Sequence, residues 1–311
     1  MKSFCSKILL FGEYSLMLNS MALSVPYPLF EGRLVLKNIS DTSKGILQSN
    51  RELKTFSEYL KYKLQNKELE ADFDILSFDF DIAQGLYFMS NIPQGFGVGS
   101  SGALTASLYQ RYVYNRIEQN GGLSLEQILT LKRIFGQMES HFHGSSSGAD
   151  PLSCYLQKTL LVKSKTHIEM TEIPNFSGKG AVFLLNTGRP RKTEPLVNLF
   201  LEKCKNPDFI EICKNELAHY NDRSIEAFLE YDLEKLFENL ALLSNFQFHY
   251  FNQMIPPLFR TAWEHGLNTQ DYKLKLCGAG GGGFILGFTK DFDRIKDSPL
   301  KDYQIRVVYR M

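Results

Sequence analysis

The sequence predicts an α+β protein organised as two domains. Its 311 residues, 43% of them apolar and 22% charged, are enough for two cores of about 150 residues each. Strand-like runs near the N-terminus give way to two helix-like runs. From residue 181 onward the order is strand, helix, strand, strand, helix, strand, which is that of a ferredoxin-like unit with extra helix inserted. The polar, glycine-bearing connector "PNFSGKG" (174–180) separates the two parts, so the domains are expected at 1–177 and 178–311.

The first strand is expected at "KILLF" (7–11), a short apolar run, and the next at "RLVLKN" (33–38), whose alternation suits a half-buried strand. Residues 103–119 hold no Gly or Pro and space Leu104, Leu108, Tyr112 and Ile117 at helical intervals, predicting a helix. A second helix starts at Ser124, whose hydroxyl caps it while Gln127 reaches back in a capping box. Its apolar stripe is Ile128, Leu131, Phe135, Met138 and Phe142, and Gly144 ends it. "TLLV" (159–162) and "AVFLLNTG" (181–188) read as strands, and a long helical stretch then runs to about residue 266. Strands follow at "YKLKLC" (272–277), "FILGF" (284–288) and "YQIRVVY" (303–309), the last preceded by a short polar helix.

Composition excludes several classes of partner. Lys plus Arg total 35 against 34 Asp plus Glu, and no block of like charge forms a phosphate-tracking stripe, so nucleic acid is not expected. The opening "MKSFCSKILLFGEYSL" has one short apolar run, broken by Gly12 and Glu13, and no small-residue cleavage pattern follows. No run reaches the roughly 18 apolar residues that span a bilayer, so no membrane partner is expected and the protein is read as cytoplasmic. Five scattered cysteines without a CxxC pair suit a reducing compartment and read as packing residues. A homodimer is neither required nor excluded.

Three constellations bear chemistry. In "PQGFGVGSSGALTASLY" (93–109), Gly97, Gly99 and Gly102 formally satisfy GxGxxG. A dinucleotide site also needs a second strand ending in an acidic residue about 20 positions on, and here a helix carrying Glu118 fills that space. Walker A is excluded because no lysine follows the last glycine. The physics shared by both motifs survives: amides exposed by glycines at the positive end of a helix attract phosphate, and Ser100 and Ser101 add hydroxyls for phosphate or magnesium. A ligand-free β-to-α turn is the alternative.

In "ESHFHGSSSGADP" (139–151), Glu139 and His143 stand four residues apart on one helix face, beside Phe135 and Phe142. A carboxylate at the edge of an apolar stripe needs a partner, which makes Glu139 a metal-ligand candidate. Asp150 follows a Gly-Ser stretch and is placed to accept a hydroxyl proton. The alternatives are a surface Glu139–Lys pair, a flexible "GSSSG" loop and a capping role for His143. The third constellation is "KLCGAGGGGFILGF" (275–288), whose five glycines exceed what a hairpin requires and point to close approach by a ligand or another loop, with a loose hairpin turn as the alternative.

These segments, in this order, resemble the signature motifs of the GHMP kinase superfamily. The central motif P-x-x-x-G-L-G-S-S-A-A is matched by Pro93 to Ala103, the N-terminal motif by "SKILLFGEY" (6–14) and the C-terminal motif by "KLCGAGGGGF" (275–284). Within the superfamily the chain is most similar to the mevalonate kinase family. It carries that family's Glu followed after three residues by His-Gly, then Ser-Gly-x-Asp (Glu139, His143, Gly144, Ser147, Gly148, Asp150), and its N-T-x-x-P-R-x-T segment (Asn186 to Thr193). Two departures lie near the expected acceptor end. Gly12-Glu13-Tyr14 replaces Gly-Glu-His and looks more like phosphomevalonate kinases, and Cys5-Ser6 replaces the usual Pro-Gly.

The resemblance implies a two-domain GHMP kinase fold, with an N-terminal domain like domain 2 of ribosomal protein S5 and a ferredoxin-like C-terminal domain with inserted helices. It implies ATP and Mg2+ as cofactors and mevalonate as the small-molecule alcohol substrate. Pro93, Gly95, Gly97, Val98, Gly99, Ser100, Ser101, Gly102 and Ala103 would bind nucleotide, and Ser101 and Glu139 the metal. Asp150 would act as base with Lys7 as the stabilising cation. Glu13, Tyr14, His143, Ser147, Arg191, Thr193, Gly278, Ala279 and Gly280 would contact the acceptor. Phosphomevalonate is the rival acceptor, with Arg189, Arg191 and Lys192 as its basic cluster.

Overall fold

Local capping chemistry sets several element boundaries in the computed structural model, which describes residues 1–37, 43–119, 121–175, 177–191 and 193–311. Asn38, Phe176 and Lys192 lie outside the described residues. The chain divides into two compact units, one made of Met1–Lys7, Val25–Pro93 and Val98–Lys158 and the other of Ile8–Ser24, Gln94–Gly97 and Thr159–Met311.

The first unit takes the start of β1 (Phe4–Phe11) and most of β2 (Ala22–Leu36), a strand of 15 residues that extends the one expected at 33–38 far toward the N-terminus. It continues through α1 (Lys44–Gln65), α2 (Ile75–Ala83), β3 (Leu86–Ser90), α3 (Ser100–Tyr112), α4 (Leu125–His143) and α5 (Ala149–Leu156). Strand β3 runs antiparallel to β2, from Gly32 opposite Ser90 to Leu36 opposite Leu86. Ser43 caps α1, which buries Leu53, Phe56 and Leu60 along one face, and Asp74 caps α2. The rings of Tyr109, Phe135 and Tyr155, from α3, α4 and α5, meet at centroid distances of 5.0–5.4 Å and close the core.

Helix α4 forms as its sequence predicts. Both arms of the Ser124–Gln127 capping box are made, Gly144 terminates the helix, and Ile128, Leu131, Phe135 and Met138 are buried. Phe142 departs from the stripe: it stays 36% exposed and packs edge-on against Phe56 instead. The helix expected over 103–119 starts earlier and stops at Tyr112. Val113 turns extended to bridge Phe73, and the Ile117 amide donates to the Tyr109 hydroxyl at 2.9 Å in place of a helical carbonyl.

In the second unit β4 (Thr159–Ser164) pairs with Ala22–Ser24 of β2 and with β5 (His167–Thr171). The first sheet thus has the order β1-β2-β4-β5, with β3 also on β2. Then come β6 (Ala181–Asn186), α6 (Thr193–Lys203), α7 (Pro207–Ile212), α8 (Ala218–Leu229), α9 (Leu233–Tyr250), α10 (Arg260–Asn268), β7 (Lys273–Leu276), β8 (Phe284–Thr289) and β9 (Ile305–Arg310). The strands form an antiparallel sheet in the order β7-β8-β6-β9, the ferredoxin-like order expected from the sequence, with helices inserted after its first strand. β8 and nearly all of β6 are buried along their length, which requires cover on both faces. The long helical stretch expected to about residue 266 is divided into α6 to α10, with a π-helical segment (Cys213–Leu217) joining α7 to α8. Caps at Asn206 and Asp232 start α7 and α9, and Pro256 and Pro257 precede α10. No helix among the described residues is long and apolar enough to cross a membrane.

Candidate active site

Helix α3 begins at an end with no capping side chain. Its N-cap is Gly99, at φ +82°, and it supplies none, so the amides opening the first turn face outward from a 13-residue helix whose dipole favours an anion there. A side chain at Gly99 would meet Lys7 Cγ at 3.0 Å and Cys154 Sγ at 3.2 Å, so only glycine lets the loop lie this close to β1 and α5. The Lys7 amide donates to Val98 O at 3.1 Å, tying the strand to the loop. Ser100 and Ser101 lie half-buried in the first turn. Gly102 packs on the backbone of Asp150, 2.9 Å from where a Cβ would stand, so the first turns of α3 and α5 are held together.

That packing goes with a contact between Asp150 and Lys7, midway along β1. Lys7 Nζ lies 2.7 Å from Asp150 Oδ1, with the lysine side chain 5% exposed and the carboxylate 44% exposed. The pair therefore has a buried cation behind an accessible base. Beneath it Cys154 is fully buried, and burial pushes its thiol well above the usual range, so it packs as an uncharged group. All five cysteines are free thiols.

Glu139 lies on α4, 3% exposed. Ser101 Oγ donates to its Oε1 at 2.9 Å and Ser146 Oγ to its Oε2 at 2.6 Å, while His143 Nε2 lies 3.4 Å from Ser101 Oγ. Burial, and next the Asp150 carboxylate, push the Glu139 carboxyl up to about 7 against the pull of the two hydroxyls. Its hydrogen-bond partners are neutral hydroxyls and Lys7 offsets burial only in part, so a divalent cation bound there would further favour the ionised form. Among the described residues no three His, Cys, Asp or Glu side chains form a metal cluster. The donor set Ser101 and Glu139, hard oxygen ligands, fits Mg2+ rather than a thiolate- or imidazole-binding metal. The loop that carries Ser146 ends at Gly148, at φ +73°, where a Cβ would stand 1.9 Å from Lys132 O. Exposed Ser147 accepts from the Ala149 amide at 3.4 Å, and His143 is exposed.

The second unit holds the other expected residues. Glu13 and Lys275 form an ion pair of 2.6 Å with both side chains 1% exposed, and the Gly278 amide donates to the other Glu13 oxygen at 3.3 Å. Burial raises the Glu13 carboxyl, opposed by Lys275. Tyr14, at φ +62°, sits between the rings of Phe200 and Phe251 and donates its hydroxyl to Ala279 O at 2.7 Å. Arg191 Nη1 donates to Cys277 O at 2.8 Å and Gly280 O at 3.2 Å, and its amide donates to Gly95 O at 2.9 Å. A Cβ at either Gly97 or Gly278 would strike Arg191 Nη2 at 2.3 Å. The C-terminal glycines thus admit neighbouring loops. Thr193 opens α6, and its side chain lies outside the described residues.

Two residues of this arrangement escape sequence reasoning. Lys275 leaves a trace, because a lysine alternating within the apolar run "YKLKLC" needs a counter-charge if that strand is buried. Ser146 leaves none, standing between two other serines.

The chain has the fold of known GHMP kinases. It superposes on L. major mevalonate kinase in complex with R-mevalonate with a TM-score of 0.62 at 17% identity, covering 98% of this chain and 94% of that one. For Streptococcus pneumoniae phosphomevalonate kinase in complex with phosphomevalonate and AMPPNP the values are 0.61, 15%, 99% and 98%. For Lactococcus lactis galactokinase complexed with galactose they are 0.59, 15%, 99% and 92%. No curated protein sequence matches the chain. Residues 58–158 match the family model of the GHMP kinases N terminal domain. Members of that family are ATP-dependent phosphotransferases.

Proposed function

We propose that the chain is an ATP-dependent kinase that phosphorylates the 5-hydroxyl of mevalonate to give 5-phosphomevalonate. The observation that carries this reading is the Lys7–Asp150 pair at 2.7 Å, held by Gly102 against the uncapped first turn of α3. The mevalonate-kinase-like Glu139, His143 and Ser147-Gly148-Ala149-Asp150 pattern supports it, as does a fold likeness to a mevalonate kinase that binds R-mevalonate.

Phosphoryl transfer requires an in-line hydroxyl and neutralised charge, and little other chemistry. The loop from Pro93 to Ala103 and the α3 amides hold the ATP phosphates in this reading, and Ser101 and Glu139 hold magnesium. Bound magnesium supplies charge neutralisation on the transferring phosphate. Asp150 orients the acceptor hydroxyl and takes its proton as the oxygen attacks. Lys7, in contact with Asp150, stabilises developing negative charge. His143 and Ser147 are exposed near this group for acceptor contact. Glu13, Tyr14 and Arg191 hold the 278–280 backbone, which the family resemblance assigns to acceptor contact. The nucleotide-binding and ferredoxin-like roles of residues 1–177 and 178–311 belong to the same proposal.

Tyr14 favours a second reading, phosphomevalonate as acceptor, since Gly-Glu-Tyr is the phosphomevalonate-kinase-like variant. A coupled ADP-release assay with mevalonate, phosphomevalonate, homoserine and galactose in parallel separates the readings. Turnover dependent on mevalonate is expected. Turnover only with phosphomevalonate would replace the acceptor, and nucleotide binding without turnover on any acceptor would make the chain a non-catalytic binding protein.

A further inference from the structure

Ser146 has no assigned role, yet it is the residue through which two parts of the candidate site touch. Its hydroxyl donates to Glu139 Oε2 at 2.6 Å and accepts from the Gly148 amide at 3.0 Å. Its amide donates to Ser140 Oγ at 3.1 Å, and Ser140 in turn donates to Gly136 O at 2.7 Å. Gly136 leaves only 2.9 Å between a Cβ position and Ser146 O. The serine is therefore fixed on three sides by α4, and its proton has one direction, toward the carboxylate.

This geometry divides the carboxylate. Ser101 reaches Oε1 from α3, the side on which the nucleotide phosphates are proposed to lie, and Ser146 reaches Oε2 from the opposite loop. A cation taken up by Ser101 and Oε1 displaces the Ser101 hydrogen bond, because a hydroxyl that ligates a metal through its lone pair no longer aims its proton at the same oxygen. Ser146 is then the donor that keeps the 3% exposed carboxylate from turning. By holding the Gly148 amide, it also sets where α5 begins and so where Asp150 stands relative to that oxygen.

We propose that Ser146 is a positioning residue for the divalent cation, orienting Glu139 through Oε2 while the metal binds at Oε1. The inference rests on the kinase reading above. Ser146→Ala should weaken Mn2+ binding to the protein–AMPPNP complex about tenfold, the scale of one hydrogen bond to a charged group. Mn2+ affinity is read by electron paramagnetic resonance and AMPPNP affinity in metal-free buffer by calorimetry. AMPPNP affinity without metal should be unchanged, and Ser146→Thr, which keeps the hydroxyl, should restore most of the Mn2+ affinity. Equal loss of metal-free and metal-dependent binding would show a merely structural role and overturn the proposal, as would wild-type Mn2+ affinity in Ser146→Ala. If the wild-type protein binds no AMPPNP with Mn2+, the kinase reading fails instead.

Discussion

Replacing Lys275 by methionine should destabilise the second unit by about 3–5 kcal/mol, the range for removing one partner of a buried ion pair. Glu13 and Lys275 are each 1% exposed, so no water enters to solvate the carboxylate left behind. Glu13 would keep neutral backbone donors, its own amide and that of Gly278 at 3.3 Å, neither of which is a cation. The loss should also depend on pH in a defined direction. Burial already raises the Glu13 carboxyl above its ordinary value of 4.5, and Lys275 is the first of the groups that oppose it. Without the ammonium the folded-state value rises further, so the folded protein binds the proton more tightly than the unfolded chain does. The penalty is then absent below about 4.5, grows as pH climbs through the window up to the raised value, and is complete above it. Trp263, the single tryptophan and fully buried on α10, reports unfolding of this unit by fluorescence. Urea unfolding at pH 5 and pH 8 should show a loss that is smaller at pH 5, and the double variant Glu13→Gln with Lys275→Met should recover part of it. A loss below about 1 kcal/mol, or one equal at both pH values, would refute the account of a buried charge that depends on its partner.

Asp150→Asn should lower kcat by about 10²-fold or more while ATP still binds, on the scale of general-base catalysis; near-normal turnover would remove Asp150 from that role. Glu139→Gln should raise the magnesium requirement, seen as a rightward shift of the metal titration. In metal-free buffer the same substitution should remove a penalty that is absent below about 4.5 and complete above about 7. The variant should therefore gain up to about 3 kcal/mol on the wild type between those pH values, and a flat difference would contradict the burial of the carboxylate. Gly148→Ala places a methyl 1.9 Å from Lys132 O at a positive φ and should cost more than 2 kcal/mol, roughly, by urea unfolding, whereas Gly144→Ala, with nothing within 4 Å, should cost less.

Local chemistry was readable wherever a few neighbouring residues decide the outcome. Ser124, Gln127 and Gly144 settle both ends of α4 without help from the rest of the chain. The glycine, serine and carboxylate spacing of residues 93–109 and 139–151 marked Ser101, Glu139 and Asp150, the family resemblance added Lys7, and the fold sets Ser101 beside Glu139 and Lys7 beside Asp150. Helix α1 was not among the expected elements, although the Ser43 cap and the spacing of Leu53, Phe56 and Leu60 are local signals for it. The end of α3 was not local, because Val113 leaves the helix to pair with Phe73, 40 residues earlier in the chain. Nor was the partner of Glu13, or the choice of Ser146 among three adjacent serines, since burial of a carboxylate elsewhere decides both.

The burial of the turn at Gly12–Tyr14 has a consequence for synthesis. Glu13 is separated from Lys275 by 262 positions, and Tyr14 from Ala279 by 265. At translation rates of about 5–20 residues per second, the nascent chain carries Glu13 for on the order of 10–50 s before its counter-ion is polymerised. During that interval Ile8, Leu10 and Phe11 beside it also wait for the strands that cover them. This segment, made 262 positions ahead of its counter-ion, is thus enclosed late, and chaperones that shield emerging apolar chain have a long opportunity there.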